Sequence, residues 1–179
     1  MIGDHGYNAG GHVGRRCTVG WICRFPVEGS RQAAGHANRM AVQEPDRYRA
    51  AVSIAGVTDW ASVLKASVRL NPYAEVSLKR CIGDPRFIGE AGGLDEISPL
   101  HLADRIKAPV LLIHGRDDPV VPHDQASRMA AALIKAANPP ERLSRFNEPH
   151  GIYHYKNRMT MYALIEDFLG RHLAPRAAR

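Results

Sequence analysis

Nowhere in its 179 residues does the chain hold an apolar run near the roughly 20 residues that a membrane-spanning helix requires. Its opening residues, MIGDHGYNAGGH, lack the apolar stretch of a secretion signal. A soluble, cytoplasmic protein without a membrane partner is expected. Cysteine is scarce: Cys17, Cys23 and Cys81 are an odd number with no CxxC pair, which speaks against a disulfide framework or a zinc knuckle and for free thiols in a reducing compartment. Blocks of one charge are missing as well. The 24 Lys+Arg against 18 Asp+Glu leave +6, but the basic residues are scattered, with enrichment only at Arg15-Arg16 and at Arg171, Arg176 and Arg179. No RNP-like aromatic motif accompanies them, so an ordinary solvated basic surface is expected and no nucleic-acid partner. What remains, 45% hydrophobic and 23% charged, is the composition of one globular domain.

The chain divides into two parts. Residues 1–39 are rich in Gly, His and Arg with little periodicity and one short apolar patch, Val19 to Ile22, and are read as an irregular segment. Residues 40–179 alternate short apolar runs with longer amphipathic stretches, the signature of a βα succession and a largely parallel sheet. Tyr48 to Ile54 reads as a strand, and Asp59 as the cap of a helix over Trp60 to Leu70. Gly83 to Pro99, rich in Gly and Pro, reads as irregular. Ala108 to His114 is the best strand, opened by Pro109, closed by Gly115 and apolar enough to be covered on both faces. A helix over Pro122 to Asn138 follows, with Ala126, Met129, Ala130, Leu133 and Ile134 at helical spacing. Leu143 to Phe146 reads as a short strand, and Met159 to Leu173 as a closing helix with Tyr162, Ile165, Phe168 and Leu169 inward.

The sharpest chemical signal is HGRDDPVVP, His114 to Pro122. A parallel strand that ends in Gly and delivers an acidic residue places that carboxylate at the carboxyl edge of the sheet, where open α/β folds carry their sites. Asp118 is the candidate, and Asp117 a solvated turn residue. NEPHGIYHY follows the next strand, with His150 directly before Gly151. A histidine there can swing over a cleft and be oriented through one ring nitrogen by the acid of the preceding loop. Asp followed by His is the second half of a Ser, Asp, His order on such a sheet. His154 offers a competing imidazole, and a two-His site with Glu148 is conceivable, but HGIYH is not HExxH; no metal and no cofactor are expected.

ISPLHLADRIKAPVLLIHGRDDPVVPHDQASRMAAAL and NEPHGIYHYKNRMTMYALIEDFLGRHL together resemble the carboxyl-terminal part of the prolyl oligopeptidase-like serine peptidases (family S9), and EPDRYRAAVSIAGVTDW resembles the strand and loop after that family's nucleophile helix. The resemblance runs from about Ala41 to Leu173. It implies an α/β class, a partial α/β-hydrolase fold that lacks the first strands, with Asp118 as triad acid and His150 as triad base. It also implies an oligopeptide substrate, or a small ester, and no cofactor. An uncovered sheet edge invites self-association.

The resemblance breaks at the nucleophile. The family's elbow, GxSxG, keeps small residues beside the serine because the strand-to-helix turn is tight. Ser30 in EGSRQAAGHANRM is the nearest serine, yet Glu28 and Gln32 stand where Gly belongs, and registering the helix instead puts Gln32 at the nucleophile position. Either the chain is a fragment or scrambled copy of a longer gene, or its elbow has decayed. Three readings therefore stand: an S9-type peptidase of impaired activity, a carboxylesterase or dienelactone-type hydrolase, and a non-catalytic remnant.

Overall fold

The computed structural model describes residues 16–20, 36–70, 93–145 and 147–173. The elements run β1 (Arg16–Gly20), α1 (His36–Gln43), β2 (Tyr48–Ile54), α2 (Trp60–Leu70), two short 3-10 segments (Gly93–Asp95 and Pro99–Arg105), β3 (Val110–Gly115), α3 (Asp124–Lys135), β4 (Glu141–Arg145) and α4 (Tyr155–Leu173). One sheet of order β1-β2-β3-β4 results, with every neighbouring pair parallel. Parallel neighbours cannot be joined by a hairpin, so each connection crosses a face of the sheet and carries helix with it.

The two faces follow from the strand alternation. Ala51, Val110 and Leu112 pack with Ala41 and Val42 of α1, Met129, Ala130 and Leu133 of α3, and Ala103 and Ile106 from the second 3-10 segment and its end. Ala50, Val52, Ile54, Leu111 and Ile113 point the other way, onto Met161 and Phe168 of α4. All six residues of β3 are buried, as expected for a strand covered on both sides. Each such Leu, Ile or Val contributes about 1.5–3 kcal/mol through removal from water. No helix among the described residues is long and apolar enough to cross a membrane.

The carboxyl edge of the sheet is tied together by polar groups. Asp59 caps α2, its Oδ1 accepting the Ser62 N–H at 3.2 Å, and its Oδ2 meets Arg128 Nη2 of α3 at 2.6 Å. Gln125, buried at the start of α3, accepts the Thr58 and Asp59 N–H groups on Oε1 at 3.0 and 2.8 Å. Its amide donates to Ser62 Oγ at 2.6 Å. Beside these bonds, Val57, Trp60, Val63 and Val121 form a small apolar cluster. At its other end α3 closes with a Schellman turn: the Ala137 N–H bonds the Ile134 carbonyl, the Asn138 N–H bonds the Leu133 carbonyl, and Ala137 sits at φ 58°.

Several elements differ from their expected bounds. Within residues 1–39, Arg16–Gly20 forms a strand and α1 starts at His36; a border strand of five residues needs a partner on one side only, so a mixed-polarity RCTVG suffices. β4 starts at Glu141 and α4 at Tyr155, both earlier than read. On α4 the inward stripe runs through Met161, Leu164, Ile165 and Phe168, which turns Tyr162 outward at 46% exposure. Ile134 of α3 likewise faces solvent. The Gly83 to Pro99 stretch is described only from residue 93, where it forms a turn of 3-10 helix and enters a second.

Candidate active site

Gly115 ends β3 at the carboxyl edge, and the chain turns through Asp117 and Asp118 toward α3. The Asp118 side chain is fully buried. Its Oδ1 accepts the backbone N–H groups of Val120 and Val121, each at 2.8 Å, so the loop itself fixes the carboxylate plane. Oδ2 is thereby presented to two imidazoles. His150 Nδ1 stands 2.9 Å away, and His114 Nε2, from the penultimate residue of β3, stands 3.2 Å away. Burial alone would raise the pKa of this carboxyl. The bonds from His114, His150 and the Val121 N–H outweigh it and hold Asp118 well below the usual carboxylate range, so it is an anion at neutral pH.

His150 lies on the loop after β4. The Gly151 N–H donates to the Pro149 carbonyl at 2.7 Å, a tight turn centred on His150. Gly151 itself has φ 133°, which L side chains rarely adopt. The loops of Asp118 and His150 touch through their backbones: the Asp117 N–H donates to the Glu148 carbonyl at 3.1 Å. Gly115 allows this approach, because a Cβ there would stand 2.2 Å from the Glu148 carbonyl oxygen and 2.3 Å from that of Pro149. With Nδ1–H donated to Asp118, the lone pair of His150 resides on Nε2, the nitrogen that can take a proton from a reacting hydroxyl. The His150 side chain is 15% exposed, so the ring is held yet reachable.

The structure thus brings Asp118 and His150 together, and leaves Asp117 exposed as expected. Ser30, Glu28 and Gln32 lie outside the described residues. Two residues of this cluster are not evident from the sequence. In the sequence His114 reads only as the end of a strand. It is buried, bonds the Val121 carbonyl through Nε2 at 2.9 Å, and leaves Nδ1 with no hydrogen-bond partner among the described residues. An ionisable residue closing an apolar strand four positions before Asp118 is the available signal. For Glu148 the sequence suggests only a metal-ligand role. It is buried and meets His154 Nδ1 at 2.9 Å, but its oxygens also accept Tyr153 N–H, His154 N–H and Asn157. Among the described residues no three His, Cys, Asp or Glu side chains are grouped to hold an ion. Tyr153 and Tyr155 flank the loop and are exposed.

A parallel, doubly covered sheet with an acid and a histidine on the loops after successive strands defines the α/β-hydrolase class. Comparison with known proteins makes this more specific. The model of the prolyl oligopeptidase family matches residues 35–176. The chain is 32% identical over 137 residues to the dipeptidyl aminopeptidase BIII of Pseudoxanthomonas mexicana, covering 74% of this chain and 19% of that protein. It is 31% identical over 130 residues to dipeptidyl peptidase family member 6 of Caenorhabditis elegans, covering 70% of this chain and 17% of the relative. Among solved structures, a puromycin-hydrolyzing peptidase of Mycobacterium tuberculosis superposes with a TM-score of 0.70 at 28% identity, over 91% of this chain and 23% of that one. The acylaminoacyl peptidase of Pyrococcus horikoshii shares the fold, with a TM-score of 0.69 at 24% identity over 94% of this chain and 26% of that one.

The chain belongs to the prolyl oligopeptidase family. It spans about a fifth of the length of the curated relatives it matches.

Proposed function

We propose that this chain carries the acid and base of a serine peptidase acting on oligopeptides. His150 takes the proton of a serine hydroxyl as that oxygen attacks the scissile carbonyl, and Asp118 holds the imidazole in the Nδ1–H tautomer and stabilises the imidazolium that forms. The proton then passes to the leaving amine, and water repeats the sequence on the acyl-enzyme. No cofactor enters these steps. The observation that carries the reading is the 2.9 Å contact between His150 Nδ1 and a carboxylate already fixed by two backbone N–H groups.

Ser30 is the proposed nucleophile. It is the one serine of residues 21–35, which connect β1 to α1. That connection leaves β1 at Gly20, in register with Ser53 of β2 and so at the carboxyl edge that also carries Asp118 and His150. The dipeptidyl peptidases among the relatives point to a dipeptide-releasing substrate; a small ester is the alternative. Self-association through the outer edge of β1 belongs to the same proposal, and sedimentation over a concentration series reads it.

Labelling with a fluorophosphonate tests the reading, since it reports an activated serine without needing the right substrate. Labelling that vanishes in both Ser30→Ala and His150→Ala is the expected result. Labelling that survives His150→Ala overturns the mechanism, and no labelling of the wild-type chain favours a non-catalytic remnant. Among active chains, a dipeptidyl chromogenic substrate cleaved in preference to a p-nitrophenyl ester separates a peptidase from a carboxylesterase or dienelactone-type hydrolase.

A further inference from the structure

The loop that presents His150 is closed by a side chain of its own. Glu148 is fully buried. Its Oε2 accepts the Tyr153 N–H at 2.8 Å, and its Oε1 accepts the His154 N–H at 3.2 Å, His154 Nδ1 at 2.9 Å and Asn157 Nδ2 at 2.7 Å. All of these donors lie on the far side of His150 in the chain, in the lead-in and first turn of α4. A carboxylate that merely serves the start of a helix can come from the cap position next to it. Here it comes from before the histidine, so satisfying the helix start draws the four intervening residues, 149–152, into a closed loop. The Glu148 carbonyl meanwhile accepts the Asp117 N–H at 3.1 Å, which anchors the same residue to the acid's loop.

We propose that Glu148 is a positioning residue: its buried carboxylate, bonded across the loop to Tyr153, His154 and Asn157, fixes the orientation of the His150 ring against Asp118. The assignment rests on the reading of His150 as base, and extends it to the group that sets that base in place. Charge-assisted bonds of this kind are stronger than neutral ones, and a buried carboxylate left with fewer donors, or donors left without it, is costly.

The test is nuclear magnetic resonance of the full chain with labelled histidine, which reports the His150 tautomer and the solvent exchange of its Nδ1 proton without any requirement for activity. Asp118→Asn is the reference. Its amide turns a donor toward His150, so the ring switches to the Nε2–H tautomer. Glu148→Gln preserves shape but replaces one acceptor with a donor. It is expected to speed Nδ1–H exchange about tenfold or more relative to the Leu111 and Leu112 amides of β3. Asn157→Ala, which removes one donor and keeps the carboxylate, is expected to move the same ratio in the same direction by less, so the result does not hang on the folding of one variant. A ratio unchanged in both variants, or ring and strand exchange accelerating in proportion, overturns the proposal and leaves Glu148 a general structural residue. A His150 tautomer unaltered by Asp118→Asn overturns the base assignment itself, and the positioning role with it.

Discussion

Replacing Gly115 by alanine should separate Asp118 from His150 without touching either. A Cβ at this position would lie 2.2 Å from the Glu148 carbonyl oxygen and 2.3 Å from that of Pro149, where real Cβ contacts stay above 3.0 Å. Both obstacles are backbone, so no side chain can rotate away, and the two loops must part by about 0.8 Å to relieve the closer contact. Applied along the 2.9 Å bond from His150 Nδ1 to Asp118, that displacement gives about 3.7 Å, beyond hydrogen-bonding distance. Overpacking of this kind costs about 1–3 kcal/mol, which for a chain of this length lowers the thermal midpoint by roughly 2–12 °C. The assay is a melt followed by circular dichroism, paired with the His150 Nδ1 proton resonance. A lowered midpoint and loss of the resonance are expected. A Gly115→Ala chain that keeps both would refute the claim that this glycine is required by the meeting of the two loops.

Asp118 also sets an acid limb of stability. Its folded-state pKa is held below the unfolded value near 3.9, so the unfolded chain binds more protons in acid; the stabilisation is complete above about pH 4 and is lost as pH falls through the folded value. Urea midpoints measured from pH 7 down to pH 2 should therefore fall less steeply in Asp118→Asn than in wild type. Gln125→Ala strips the Thr58 and Asp59 N–H groups of their acceptor and should cost about 1–3 kcal/mol for each group left buried and unpaired, read by urea unfolding. Ala137→Gly should stabilise by about 0.5–1 kcal/mol, because glycine accepts the left-handed conformation of the Schellman turn that alanine adopts under strain; a lowered thermal midpoint would contradict this.

The strand Tyr48–Ile54 and the helix Trp60–Leu70 were legible to the residue, because an apolar run with a clear end and an Asp cap are local features. The meeting of Asp118 and His150 was legible from chain order alone, since successive parallel strands bring their outgoing loops to one edge. Other features depended on tertiary partners. The start of α4 at Tyr155 is supported by the Glu148 carboxylate, which no periodicity reveals. The outward turn of Tyr162 follows from which side of α4 the sheet occupies, and a stripe read with Tyr162 in place of Met161 is rotated by about one residue. β1 is hard to read because Arg16–Gly20 offers only two alternating apolar residues, Cys17 and Val19, too short a pattern to stand out, and is selected by pairing with β2. His114 was hidden for the opposite reason: at the end of so apolar a strand it looks like punctuation, and only the return of the Asp118 loop makes it a partner.

The sheet order β1-β2-β3-β4 has a consequence for synthesis. Each described strand follows its spatial neighbour in the chain, so among the described strands none has to wedge between two that have already zipped together. Assembly can proceed as outward accretion, each newly translated crossover roofing the seam behind it. The histidine loop, made after the last of these strands, can settle onto an acid that is already in place.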